Sequence, residues 1–277
     1  MDIQDLAKSD VERVVAAMLV TGGPKGAGRS PRTVTLTLVV LQQALQDAVQ
    51  QGLLLRNVAA LVQRPRQQHR EMESWTLDQS RAFLAHVAND RLCAAWLLTM
   101  HGLRRGEVVG LRWTDVTLDG DDPTLQIRHT RVLVDGHPET SEPKTAPGRR
   151  DLPLLPNIAS ALHAFKAQQQ REAETAGAAY EDSGLVVVDE PGRPLRPEVF
   201  TDTFRRRARE AGLPDIRLHD ARHTAASLML ELGYPVHVVA AWLGHDPVMT
   251  QRVYAHVHTE ALRALGRSFD QALSGEQ

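Results

Sequence analysis

The chain has 277 residues, of which 42% are hydrophobic and 24% are charged, and its formal net charge is −2. This composition is typical of an ordinary globular protein with about two domains. The single cysteine, Cys93, excludes a disulfide scaffold. The apolar stretch Leu92–Leu98 is too short to cross a bilayer, and the polar, acidic N-terminus is unlike a signal peptide. These features predict a cytoplasmic protein without a membrane segment.

The first section, residues 1–69, is predicted to be helical. Ser30 followed by Pro31 is the pattern of an N-cap and a first helical position. Residues 64–73 are charged and show no apolar period, which predicts a linker. The expected helices are bounded by Asp10, as the N-cap, and Leu19; by Ser30 and Gly52; and by Asn57 and Val62.

The second section, residues 70–277, shows helical spacing on both sides of a strand region at 114–154. In that region VTL, TLQIRHTRVLV and RRDLPL, separated by turn residues, predict a three-stranded antiparallel sheet. The fold class expected is therefore mainly α with a small antiparallel β-sheet (α+β). The predicted helices are Asp78–Val87, Arg91–Met100, Arg105–Leu111, Asn157–Ala173, Pro197–Ala211, Asp220–Leu232, Pro235–Leu243, one opened by Asp246 and Pro247, and Thr259–Leu273.

Lysine and arginine are unevenly distributed. Residues 1–70 hold nine of them against five Asp and Glu, whereas residues 71–277 hold 23 against 29. Any contact of the larger section with a polyanion must therefore depend on local clusters. The clusters are Arg104–Arg105, Arg149–Arg150 and Arg205–Arg209, the last equally well explained as a solvated helix face.

One short segment, His219–Tyr254, concentrates groups that suit chemistry on a phosphodiester. His219 and Arg222 are three residues apart, so they share one face of a helix. They lie at the helix N-terminus, whose partial positive charge favours the binding of a phosphate. His245 follows the helix stop at Gly244. Each of these features alone is usually structural. Their joint occurrence with Tyr254, one of only three tyrosines, indicates a shared site.

A tyrosine hydroxyl is a weak nucleophile, because only about one in a thousand is ionised at pH 7. Guanidiniums can stabilise the extra charge of the attacked phosphorus centre, because they pair with its oxygens and keep their protons. A lysine or histidine can protonate the departing sugar oxygen. We find no spacing of His, Cys and carboxylates that predicts a metal site, and the chemistry requires no cofactor.

These residues resemble the tyrosine recombinase, or phage integrase, family over about 74–268 and more loosely over 30–65. HDARHTAA and LGHDPVMTQRVYAHV are similar to two of the family's conserved boxes, and HGLRRGEVVGLRW is similar to a third. EPKTAPGRRDLPL resembles the hairpin with the family's catalytic lysine. A departure is His101, at a position where the family usually has threonine.

The resemblance implies site-specific DNA recombination through a 3′-phosphotyrosyl intermediate. Tyr254 is then the nucleophile, and Lys144 the general acid. His219 assists proton transfer or orients the site, and Glu107 supports the site or only caps its helix. The catalytic set implied is Arg104, Lys144, His219, Arg222, His245 and Tyr254, with Arg105, Arg149 and Arg205 as candidate DNA-binding residues.

The resemblance also implies an assembly. The expected partners are double-stranded DNA recombination sites, a homotetramer on that DNA, and DNA-bending or directionality factors. The segment from Thr259 would dock on a neighbouring protomer or pack within its own. Residues 1–69 are similar to the later part of a helical core-DNA-binding domain, with residues 70–277 as the catalytic domain, so a shortened integrase is expected.

Two alternative functions remain open at this stage. The first is a non-enzymatic DNA-binding remnant of an integrase, suggested by the short helical section. The second is a relaxing enzyme like type IB topoisomerases, which would share the chemistry without pairing two sites.

Overall fold

A computed structural model describes residues 2–66, 73–142 and 148–245, with only the backbone of Lys25. The chain divides into two compact units, Met1–Glu71 and Met72–Gln277. The first contains the helices α1, Lys8–Val20, and α2, Pro31–Gln50. The second contains α3, Leu77–His86; α4, Cys93–Met100; α5, Arg105–Gly110; α6, Pro156–Ala176; α7, Pro197–Glu210; α8, Leu218–Glu231; and α9, Val236–Leu243. Among these helices, none combines the length and apolarity needed to cross a membrane.

The first unit folds around one face of α2. As predicted, Ser30 caps α2 by accepting a hydrogen bond from the amide of Thr33, at 3.2 Å. Asn57 caps a short 3-10 turn, Val58–Leu61, as expected. The prediction for Asp10 was wrong. Ala7 is the N-cap of α1, and the Asp10 carboxylate accepts from the Ala7 amide at 2.9 Å. The buried core of this unit consists of Val11, Leu38, Leu45, Val58, Ala59 and Val62.

The described part of the second unit has five short strands: β1, Val116–Thr117; β2, Thr124–Ile127; β3, Thr130–Val134; β4, His137–Ser141; and β5, Arg150–Pro153. The predicted three-stranded antiparallel sheet is present, in the order β1-β2-β5. The segment TLQIRHTRVLV was predicted to form one strand, but the strand ends at Ile127. Its second half pairs with β4 in a separate hairpin that the sequence analysis missed. The α+β class is confirmed.

An aromatic cluster forms the centre of the second unit. Trp96 stacks on Phe200 with 4.6 Å between ring centroids, and Trp75 stacks on Phe204 at 5.6 Å. All four side chains are almost fully buried. The cluster joins α4 to α7, and the Trp75 amide donates to Thr224 Oγ1 of α8 at 3.0 Å. Helices α4, α7 and α8 are therefore linked through this cluster.

A glycine pair on α5 lets β3 approach the helix closely. A Cβ added to Gly110 would lie 2.9 Å from the Arg131 amide nitrogen and 3.2 Å from the Thr130 carbonyl carbon. Both contacts involve backbone, which cannot move aside as a flexible side chain can. Gly106 faces the same two residues. The spacing of these glycines thus fixes how α5, which follows Arg104, lies on the β3–β4 hairpin.

We expect Gly110→Ala to destabilise the second unit, although glycine-to-alanine changes in helices usually stabilise by roughly 0.5–1 kcal/mol. Overpacking against backbone should cost about 1–3 kcal/mol. Urea unfolding followed by tryptophan fluorescence measures this, because all four tryptophans belong to the second unit. A variant as stable as the parent chain would contradict the close contact.

Candidate active site

Three segments that are distant in sequence contribute the described part of the site. Arg104 is the N-cap of α5, Arg222 lies in α8, and His245 follows α9. Gly102 and Gly244 shape the turns beside them, with φ of +91° and +64°. Left-handed backbone of this kind favours glycine, so each turn can present its neighbour at a fixed corner. The helix stop predicted at Gly244 is confirmed.

Arg222 is the most buried of these side chains, with 1% of its surface exposed. Its Nη1 donates to the Gly102 carbonyl at 2.5 Å, and its Nη2 donates to the Leu243 carbonyl. Its Nε donates to His245 Nε2 at 3.1 Å. The guanidinium therefore joins the end of α4, the end of α9 and the histidine around one point.

Arg104 and Glu107 form a closely coupled pair at the start of α5. Glu107 accepts from the Arg104 amide at 2.9 Å and from its Nη1 at 2.6 Å. Arg104 Nη2 also donates to the Gly244 carbonyl at 2.8 Å. About a third of the Arg104 side chain is exposed, so part of its charge faces solvent. The carboxylate thus both caps α5 and orients Arg104, the two alternatives considered for it.

Glu107 has a second partner, Arg150, that the sequence analysis missed. Arg150 Nη1 and Nη2 donate to the two Glu107 oxygens at 3.1 and 3.0 Å, and its Nε donates to the Trp242 carbonyl at 2.7 Å. Burial alone would raise the pKa of Glu107, but the hydrogen bond and charge of Arg150, with Arg104, lower it below its usual value. Strand alternation gives a usable signal, because Arg150 shares a face of β5 with buried Leu152.

His245 is neutral at physiological pH. Burial, and then the charges of Arg222 and Arg104, lower its pKa from 6.5 to about 3. Since Nε2 accepts from Arg222, the ring proton is assigned to Nδ1. That nitrogen is buried and, within the described residues, has no hydrogen-bond partner. This N–H group is therefore a donor that no described group uses.

A cleft of about 330 Å³ lies beside these residues. Arg105 and Arg205 line it, and so does Arg217, which the sequence analysis missed. Arg149 pairs with Glu142 instead. The lining residues that the structure describes include no carboxylate. They are Leu103, Arg104, Arg105, Thr201, Arg205, Arg217, Leu218, His219 and Arg222.

His219 lies at the cleft surface, where its ring contacts the edge of His223, with 5.0 Å between centroids. Partial burial, and then the charge of Arg222, lower the pKa of His219, which favours the neutral ring that a proton acceptor requires. Lys144 and Tyr254 lie outside the described residues. Across the described ranges, no group of three His, Cys, Asp or Glu side chains could hold a metal ion.

Known proteins resemble this chain in sequence and in fold. The phage integrase family model matches residues 73–261. The chain belongs to the phage integrase family. One relative, the XerC-like tyrosine recombinase of Caldanaerobacter subterraneus, is 27% identical over 248 residues. That alignment covers 83% of this chain but 63% of the relative. The ICEBs1 integrase of Bacillus subtilis is 24% identical, with 89% of this chain and 67% of the relative covered.

Solved integrase structures share the fold. The Tn1549 transposon integrase in complex with transposon right end DNA has a TM-score of 0.77 at 21% identity, covering 97% of this chain and 87% of that one. A lambda integrase dimer bound to a core site has a TM-score of 0.62 at 16% identity, covering 91% and 81%. The chain spans less than two thirds of the length of the Caldanaerobacter relative.

The low pKa of His245 predicts a dependence of stability on pH. Between pH 6.5 and about 3 the unfolded chain binds a proton at this residue and the folded chain does not. The free energy of unfolding should therefore fall as the pH drops below 6.5, by on the order of 1 kcal/mol per pH unit from this residue. His245→Gln keeps an acceptor for Arg222 but removes this titration.

Urea unfolding of the parent chain and of His245→Gln at pH 7.5, 6.0 and 5.0 measures the effect. The parent chain should lose stability relative to the variant as the pH falls. Parallel stability curves for the two proteins would contradict the assignment of a neutral, buried His245.

Proposed function

We propose that this chain is a tyrosine-type, site-specific DNA recombinase that cuts and rejoins DNA through a 3′-phosphotyrosyl intermediate. The observation that carries the proposal is the convergence of Arg104, Arg222 and His245 from three separate segments beside an arginine-lined cleft. The names of its relatives as tyrosine recombinases and integrases support it.

The two arginines and His245 stabilise the phosphoryl group during transfer. A phosphodiester carries one negative charge, and the pentacoordinate state formed by attack is more negative. Arg104 and Arg222 supply two charges that cannot be lost by deprotonation, and His245 donates from Nδ1. Loss of one donor to such a developing charge typically costs about 3–4 kcal/mol.

Tyr254 and Lys144 complete the reaction in this proposal. The Tyr254 oxygen forms a bond to phosphorus, and the bond from phosphorus to the 5′-oxygen breaks. His219 receives the tyrosine proton, and the Lys144 ammonium gives a proton to the leaving 5′-oxygen. The products are a 3′-phosphotyrosyl ester and a free 5′-hydroxyl. Attack by another 5′-hydroxyl reverses these steps and rejoins the strands, so one phosphodiester is exchanged for another without a nucleotide cofactor.

The first unit is proposed to be a helical DNA-binding domain that works with the catalytic unit. Its excess of lysine and arginine, nine against five acidic residues in 1–70, favours phosphate contacts. Solved structures of lambda integrase show a dimer on a core site and a tetramer on a Holliday junction. We infer by analogy that this chain acts on double-stranded DNA in the cytoplasm, as a tetramer assisted by DNA-bending or directionality factors.

The first test is covalent trapping on nicked suicide substrates that carry candidate attachment sequences. The parent chain should form an adduct that resists SDS, and Tyr254→Phe should form none, because it lacks the attacking oxygen. Tyr180→Phe and Tyr234→Phe, the only other tyrosine positions, are matched controls that should retain the adduct. An adduct formed by Tyr254→Phe, or none from the parent chain on any sequence tested, would contradict the proposal.

A second test separates the role of Lys144 from phosphate binding. Sulfur in place of the bridging 5′-oxygen leaves as a thiolate, which needs no proton because a thiol is far more acidic than an alcohol. Lys144→Ala should cleave the oxygen substrate roughly 100-fold or more slowly than the parent chain and the sulfur substrate at nearly the parent rate. Lys166→Ala is the control. In the parent chain the Lys166 ammonium lies 5.5 Å from the Trp113 ring centroid, so it already has a partner away from the proposed site.

The rates on the oxygen and sulfur substrates also distinguish a general acid from a residue that stabilises the phosphate. Arg222→Lys should remain slow on both substrates, because phosphate stabilisation is needed for either leaving group. If Lys144→Ala were equally slow on both, Lys144 would not be the general acid.

A further inference from the structure

Three successive carbonyl groups at the C-terminal end of α9 are held by three different arginines. Arg150 donates to Trp242 at 2.7 Å, Arg222 donates to Leu243, and Arg104 donates to Gly244 at 2.8 Å. Helix C-termini carry partial negative charge on their unpaired carbonyls, so cations are favourable there. The arrangement fixes the backbone immediately before His245.

The same three arginines surround a single carboxylate. Glu107, with 2% of its surface exposed, bonds to Arg104 and Arg150 at 2.6–3.1 Å, and Arg222 Nη1 lies 4.0 Å away. Three guanidiniums and one carboxylate leave a net charge of +2 at this position. Arg104 and Arg222 line the cleft, but Arg150 does not, and only 7% of its side chain is exposed. Arg150 therefore acts within this group of three arginines and Glu107, and not at the surface of the cleft.

We propose that Arg150 is a positioning residue of the phosphate site, which neutralises Glu107 and anchors the end of α9 so that Arg104 and Arg222 keep their charge for the phosphate. The proposal rests on the recombinase function proposed above. Without Arg150, the buried carboxylate would have only Arg104 and Arg222 as cationic partners. Both guanidiniums would then be drawn toward it, and the charge available to a phosphate would fall by one.

The electrostatics of Glu107 agree with this role. Burial opposes its ionisation, and the hydrogen bond from Arg150 is the largest influence that lowers its pKa. Arg150 accordingly stabilises the ionised carboxylate on which the geometry of Arg104 depends. Removal of one partner from a buried ion pair is usually costly, because it leaves an uncompensated charge. The damage in an Arg150 variant should then be relieved by removing the carboxylate charge as well.

A double-mutant cycle tests this prediction with the full chain. Arg150→Met, Glu107→Gln and the double variant are compared by the single-turnover rate of adduct formation at saturating suicide substrate. Arg150→Met should lower the rate on the order of 100-fold, as small misplacements of catalytic groups do. Adding Glu107→Gln should recover at least about tenfold of that loss. The Kd for uncleaved site DNA should change less than about threefold, since Arg150 does not reach the cleft.

If Arg150 had a merely structural role, adding Glu107→Gln to Arg150→Met would not raise the rate of adduct formation. In that case the double variant would be as slow as Arg150→Met or slower, and this result would overturn the proposal. Arg150→Gln, which keeps a donor for the Trp242 carbonyl, is a second neutral variant for the same cycle. Tryptophan fluorescence and urea unfolding identify any variant that fails to fold. If either Arg150→Met or Arg150→Gln fails, the cycle is evaluated with the other of these two variants.

Arg128→Met is the matched control. Arg128 donates to the Arg150 carbonyl at 3.2 Å and pairs with Asp151, so it is bonded to the same strand, but within the described residues no hydrogen bond or ion pair joins it to Glu107. Its rate should stay within about threefold of the parent rate, and an equal loss would mean that loosening β5 suffices to explain the effect. Absence of an adduct from the parent chain would overturn the recombinase function itself, which distinguishes the two failures.

Discussion

The buried carboxylate of Glu107 is the constraint around which the described site is organised. A charge with 2% exposure is strongly disfavoured unless it is paired and hydrogen-bonded. Here the pairing requires Arg104 from the start of α5 and Arg150 from β5 to meet at one point. The positions of α5, of β5 and of their arginines are therefore interdependent. A shift of any one of them would expose a charged group or leave it buried without a partner.

The end of α9 is part of the same constraint, because its carbonyls accept hydrogen bonds from these arginines and from Arg222. This explains why the two left-handed glycines are needed. Gly102 exposes its carbonyl to Arg222, and a Cβ there would collide with Leu243. Gly244 turns the chain so that His245 returns to Arg222. The low pKa of His245 follows from burial and from its position beside these guanidiniums.

Sequence patterns predicted the parts of this arrangement that depend on local rules. Helix caps such as Ser30, the stop at Gly244 and the grouping of Arg222 with His245 follow from short-range chemistry and spacing. The β3–β4 hairpin was missed because β4 has the sequence HPETS, which contains a proline and no apolar β-branched or aromatic residue. Arg150 was missed because the identity of its partner, 43 residues away, depends on tertiary packing. Strand alternation would have placed its side chain inward, but it could not have named Glu107.

Local rather than overall charge determines how this chain interacts with a polyanion. A net charge of −2 gives no general attraction to DNA. The cleft nevertheless gathers five arginines, which outnumber the carboxylates paired with them: Glu107 with Arg104, Asp220 with Arg217 and Asp202 with Arg205. At physiological ionic strength exposed charges are screened beyond about 8 Å, so acidic groups elsewhere on the surface act weakly at the cleft. A phosphate that reaches the cleft therefore experiences a positive field, whatever the sign of the whole chain.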